Sequence, residues 1–214
     1  MIAYTPIDIP FVPPDHDKLV DYIENNYLSN VHDTFGYTSM ICPLATRHHV
    51  SDWRNALEVF SDACPGYILQ EEYQLHYPDG VQEMFPSLFQ LIELLPYKQI
   101  IGIALNMHTH DLPPHRDEID PTNIFSPERY NVLLSPHYEE QSFFISKDKI
   151  VKDYPVILKD YPVYAFNNKD IYHGATPVLD RRVIMICAGV IDNDKHRSLI
   201  NRSVDKFKEY VIQY

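Results

Sequence analysis

Ile100-Ile101-Gly102-Ile103-Ala104-Leu105 is an uncharged run too short for an ordinary helix, and it opens the series that decides the fold. After it come Tyr130-Asn131-Val132-Leu133-Leu134, Ser142-Phe143-Phe144-Ile145, Val156-Ile157-Leu158, Val163-Tyr164-Ala165-Phe166, Ile171-Tyr172-His173 and the run from Arg182 to Val190. Short β-branched and aromatic segments at this spacing predict about seven strands in a sandwich or jelly roll. The 17 prolines against 6 glycines, with 16 tyrosines and 10 phenylalanines, suit short strands joined by proline-containing turns and argue against a helical bundle.

The part before this run reads differently. Ile9 to Pro14 is an extended lead-in, and Asp15 or Asp17 caps a helix carrying Leu19, Val20, Ile23 and Tyr27 that ends near Asn30. Val31 to His49 is a loop or a strand pair. Ser51-Asp52 opens a second helix, with Trp53, Ala56, Leu57 and Phe60 on one face, which Pro65-Gly66 stops. Tyr67 to Tyr77 is strand-like and ends in the turn Pro78-Asp79-Gly80. A third helix spans Phe85 to Leu95, with Pro86 in its first turn and Leu88, Leu91, Ile92 and Leu95 inward. At the far end, Leu199, Val204, Phe207 and Val211 predict a packing helix.

The expected architecture is α+β with a mainly β core, in a single domain over all 214 residues. Its parts are a helical region to about 97, a β core over about 98–192 and a tail helix over about 195–212. A chain of this length buries a substantial core without staples.

The formal net charge is −12 and the pI near 5.2, and no dense run of Lys and Arg could track phosphates, which disfavours nucleic acid as a partner. Cys42, Cys64 and Cys187 are odd in number and far apart, as expected of reduced thiols rather than a disulfide framework. Met1-Ile2-Ala3-Tyr4-Thr5-Pro6 lacks a basic segment followed by an apolar one, and no stretch reaches transmembrane length. The expectation is a cytoplasmic protein with no membrane partner.

Chemistry concentrates in Leu112-Pro113-Pro114-His115-Arg116-Asp117. In an extended segment His115 and Asp117 share a face and can close on one cation, while Arg116 points away. His173 offers a third ligand. Two imidazoles and one carboxylate on one face of an octahedral ion leave three positions open, the arrangement used for non-haem Fe(II) with oxygen and a bidentate organic acid. A 2-oxo acid chelates there through its keto oxygen and first carboxylate, and its distal carboxylate then needs a cation that Arg matches bidentately. Arg182 stands nine residues beyond His173. If His173 ends one strand and Arg182 starts its antiparallel neighbour, both face one interior and Arg181 faces out. Arg182 is preferred to Arg181 on that register.

These residues resemble the signature of Fe(II)/2-oxoglutarate-dependent oxygenases. More narrowly, the aspartyl/asparaginyl β-hydroxylase-like branch, which includes hydroxylases of free proline, is resembled by several stretches. They are Phe85-Pro86-Ser87-Leu88 through Leu95-Pro96, Pro114-His115-Arg116-Asp117, Arg129-Tyr130-Asn131 and Phe166-Asn167 before His173. The resemblance implies a double-stranded β-helix and a reaction in which O2 and 2-oxoglutarate are consumed, succinate and CO2 are released, and an unactivated C–H bond is hydroxylated. It implies His115, Asp117 and His173 as iron ligands and Arg182 as the 2-oxoglutarate anchor. Arg129 is placed near a substrate or co-substrate carboxylate, its competing role being a surface salt bridge with Glu128. Asn131 stands where some relatives have histidine near the co-substrate. The presence of Asp117 argues against halogenation. The substrate expected is an amino acid, free or in a peptide.

Two other readings compete. His108-Thr109-His110 with His115 would make a cupin-like metal cluster that does not require Arg182. His173 as a backbone-bonded core histidine, with His115 a loop residue, would make a catalytically silent barrel that binds a ligand or protein partner. His48-His49 and His137 have no partner at useful spacing and read as surface residues. The many tyrosines are mostly strand packing, with Tyr164 or Tyr172 able to hydrogen-bond a ligand.

Overall fold

The computed structural model describes residues 1–26, 39–45, 77–109, 111–116, 128–136, 143–175 and 181–214. The second helix expected from Ser51, most of the strand-like stretch after Tyr67, Cys64, His48, His49, His110, Asp117 and His137 lie outside the described residues.

Among the described residues two antiparallel sheets make the framework, and they do not close into a barrel. The strands, in chain order, are β1 (Ile2–Pro6), β2 (Ser39–Ala45), β3 (Tyr97–His108), β4 (Leu112–His115), β5 (Glu128–Leu133), β6 (Phe143–Ser146), β7 (Val163–Asn167), β8 (Tyr172–Ala175), β9 (Arg182–Ile191) and β10 (Ile212–Gln213). The large sheet runs β10-β1-β7-β5-β9-β3-β2 and the small one β4-β8-β6. Pairing is nested: β3 with β9, β4 with β8, β5 with β7, and β6 with an isolated bridge from Ile145 to Asp153.

Strand alternation gives the large sheet two buried faces. Ile103, Leu105 and Met107 on β3, Tyr130 and Val132 on β5, and Val183, Met185 and Cys187 on β9 join the core under the helices. The intervening Leu133, Tyr164, Phe166 and Ile184 meet Phe143 and Ile145 of the small sheet in a second core. On β9 the alternation places Arg182 with Ile184, on the face toward the small sheet.

The helices cover the first core. In α1 (His16–Asn26), Leu19, Val20 and Ile23 are buried, and the Asp15 carboxylate accepts from the Lys18 amide at 3.0 Å. A short α2 (Val81–Met84) follows Gly80, whose φ of 74° is the left-handed conformation that glycine adopts without strain. In α3 (Pro86–Leu94) Pro86 occupies the first turn and Leu88, Leu91 and Ile92 face inward. Asp192 caps α4 (Asn193–Lys206) by accepting from the amides of Asp194 and Lys195.

Several expectations need correction. The region before 97 is not only helical, since β1 and β2 extend the large sheet at both ends. The tail helix stops at Lys206: Phe207 packs on Tyr161 with ring centroids 5.0 Å apart, a 3-10 turn follows, and β10 pairs with β1. Val156-Ile157-Leu158 is not a strand; Val156 is exposed, Ile157 is buried, and only Leu158 makes a bridge, to Tyr161. His173 and Arg182 are not on neighbouring strands, because β8 and β9 belong to different sheets.

Gly174 follows His173 where the backbone of β8 passes beneath Phe144. A Cβ there would overlap the Leu112 carbonyl oxygen and the Phe144 ring. Gly174→Ala should cost about 1–3 kcal/mol of stability, read as a lower urea midpoint with an unchanged slope.

Candidate active site

His115 and His173 are cross-strand partners of β4 and β8, and their ring centroids lie 4.3 Å apart with planes inclined at 52°. Each ring has the same local anchor. His115 Nδ1 is 2.9 Å from the Pro113 carbonyl oxygen, and His173 Nδ1 is 3.5 Å from that of Ile171. A carbonyl only accepts, so in each of these contacts Nδ1–H is the donor, which is the orientation that metal-ligating histidines commonly have. Phe166 packs edge-on against His173 at 4.8 Å. Asp117 is the residue after the last described one in this segment.

Arg182 is 2% exposed, whereas Arg181 is open to solvent and pairs with Glu24 at 3.0 Å. The Arg182 guanidinium carbon lies 5.9 Å from the Phe143 ring centroid. Burial pushes its pKa below the usual arginine range, and the neighbouring Tyr164 pushes it back up. Among the described residues, Arg182 Nε, the Tyr164 hydroxyl and Asn131 Oδ1 are buried here without a hydrogen-bond partner. Burial pushes the Tyr164 pKa up, and the adjoining Arg182 and Asn131 side chains pull it part of the way back. A buried polar atom left unpaired costs about 1–3 kcal/mol, so the chain holds these groups at an energetic cost.

His108, the first member of the cupin-like set, is buried beside this group. It is 5% exposed, and its backbone partner across β3 and β9 is Arg182. Continued alternation past Ile103, Leu105 and Met107 was the signal that turns Asn106 and His108 toward the small sheet. Burial first, then Arg182 and His115, hold the His108 pKa down to about 3. This imidazole is therefore neutral at physiological pH.

The sign of its effect on stability follows. The unfolded chain protonates His108 near pH 6.5 and the folded chain only near 3, so the unfolded state binds more protons between those values. Stability held above that window is lost as pH falls through it. In metal-free protein, His108→Asn should make the acid limb of the stability curve shallower, measured by urea denaturation at successive pH values.

The chain matches no family model and no curated protein.

The remaining expected residues fall as follows. Arg129 lies on β5 opposite Phe166 in register, and its side chain is not among those described. Asn131 is buried on the same strand and pairs with Tyr164 and Ile186. Tyr172 faces the other way: the Arg116 guanidinium sits 4.0 Å over its ring, giving Arg116 a place outside the histidine pair. His110, the middle member of the cupin-like set, lies outside the described residues, and among those described no group of three His, Cys, Asp or Glu side chains could hold a metal ion.

Proposed function

We propose that this chain is a Fe(II)/2-oxoglutarate-dependent dioxygenase that hydroxylates an unactivated C–H bond of an amino acid, free or in a peptide. The observation that carries the reading is the facing pair His115 and His173 together with a buried Arg182 whose Nε has no hydrogen-bond partner among the described residues. The donor set fits: two imidazoles, each held through Nδ1 by a backbone carbonyl so that Nε2 is the atom to bind with, and Asp117 two residues beyond His115 to complete a facial set. Nested strand pairing, outermost with outermost and so inward, is what an antiparallel ribbon has when rolled into a double-stranded β-helix, which supports that finer fold.

In this reading His115, Asp117 and His173 hold the iron. When bound, the metal supplies activation of O2, coupled to conversion of 2-oxoglutarate to succinate and CO2 and insertion of one oxygen atom into the substrate C–H bond. The chain's own residues bind and orient. Arg182 gives the distal carboxylate of 2-oxoglutarate a charged fork, and the Tyr164 hydroxyl adds a donor from the neighbouring wall. Asn131 takes a polar edge of the ligand, the second contact that spacing left open. Leu133, Phe143, Phe166 and Ile184 line the same interior and exclude water, which strengthens each polar contact. Arg129 is assigned to a substrate carboxylate by resemblance.

A cupin-like second reading has one observation in its favour, the burial of His108 within electrostatic reach of His115. It predicts metal binding that survives replacement of both Asp117 and Arg182. The primary reading predicts that one or more amino acids, screened in air with Fe(II) and 2-oxoglutarate, stimulate succinate release and gain one oxygen atom. Succinate no higher than in metal-free controls, across free amino acids and short peptides, overturns it.

A further inference from the structure

The outer surface beside β6 inverts the chain's acidic character. Four of the eight large apolar side chains exposed among the described residues, Ile150, Val151, Tyr154 and Val156, fall within seven positions, and Ile150 is 82% exposed. Lys147 and Lys149 are exposed among them. Lys149 and Arg116 lie over the Tyr172 ring, and Lys152 lies 4.4 Å over that of Phe144.

The segment is held in shape. Asp148 accepts from the amides of Ile150 at 2.9 Å and Val151 at 3.0 Å, and from the Ser146 hydroxyl. This closes a turn in which Lys149 takes φ 71°. Asp153 accepts from the Tyr214 hydroxyl and pairs through its backbone with Ile145. Both carboxylates are thus tied to the framework, while Lys147, Lys149 and the aliphatic side chains of Ile150 and Val151 are exposed and Lys152 is half-exposed.

We propose that residues 147–156 are a membrane-contact surface that docks this protein on an anionic phospholipid bilayer. Ile150 and Val151 enter the interfacial region, Tyr154 lies at headgroup depth, and Lys147, Lys149 and Lys152 meet lipid phosphates. Composition favours lipid over a protein partner, because lysine is depleted in protein–protein interfaces whereas lysines around an apolar tip suit an anionic interface. The chain's net charge of −12 does not prevent this: screening over about 8 Å at physiological ionic strength leaves the groups at the surface to decide. The contact is peripheral; among the described residues no helix is long and apolar enough to cross a membrane.

The test is sedimentation of the full chain with vesicles of phosphatidylcholine alone or with about one third phosphatidylserine. Expected is binding to the anionic vesicles that weakens with added salt. Ile150→Asp with Val151→Asp should lower it at least about tenfold. Lys147→Glu with Lys149→Glu should lower it at least about tenfold too. Lys195→Glu with Lys208→Glu, an equal charge change elsewhere, should leave it within about twofold. Far-UV circular dichroism checks that each variant is folded. Equal binding to both vesicle types, loss in the remote control equal to that in the segment variants, or binding only to a soluble acidic polypeptide overturns the proposal.

Discussion

His173→Ala is expected to lower Fe(II) affinity by more than about a hundredfold and to remove succinate formation with it. Altering only the outer partners of a metal site costs about 10–100-fold, so loss of a ligand should exceed that. The ring is 6% exposed and packs on Phe166 and His115, so its truncation also leaves a small void. A comparison separates the two effects. Tyr130→Phe, on the helix-side core, removes the 2.7 Å hydrogen bond to His196 and should cost about 1 kcal/mol while leaving iron binding intact. Fe(II) affinity measured anaerobically for both variants decides whether His173 is a ligand or a core histidine; retention of native affinity in His173→Ala would contradict the site.

Arg182→Met should move stability and co-substrate affinity in opposite directions. The buried guanidinium has no acidic partner among the described residues and an Nε without a hydrogen bond, so the ligand-free protein holds it at a cost. Replacing buried charge with an apolar side chain of similar volume is often stabilising by about 1–4 kcal/mol, and a rise of that order is expected in urea denaturation without 2-oxoglutarate. With the ligand, the same change should raise the 2-oxoglutarate concentration for half-saturation at least about thirtyfold, as loss of a buried charge partner does. A destabilised variant with an unchanged 2-oxoglutarate requirement would make Arg182 a structural residue instead.

The fold was legible where local pattern carries it. β3, β5, β7 and β9 bury alternate residues on two different cores, and that alternation is written in Ile103, Leu105 and Met107 or Val183, Met185 and Cys187. The same rule separated Arg182 from Arg181. It could not reveal β1 or β10, because Ile2–Pro6 is only five residues long and pairs with segments more than 150 positions away. Val156-Ile157-Leu158 shows the converse: three apolar residues in a row resemble a strand, yet Val156 is left in solvent beside the lysines.

The site divides in a similar way. His115, His173 and Arg182 could be named from spacing and resemblance, because ligand types and short intervals are local. That His173 and Arg182 sit on different sheets depends on how the two sheets stack, which no local interval records. The grouping of Tyr164, Asn131 and Arg182 is a three-dimensional property too, since they come from three different strands. Burial of His108, with its pKa near 3, was accessible from strand alternation had β3 been extended beyond Leu105.

The most direct measurement is an anaerobic titration of the purified chain with Fe(II) and 2-oxoglutarate, followed by visible absorption. The account predicts a weak metal-to-ligand charge-transfer band that saturates at one iron per chain, is absent in Asp117→Ala and His173→Ala, and needs far more 2-oxoglutarate in Arg182→Met. No band in the native chain at saturating iron, together with no succinate on admission of air, would contradict it.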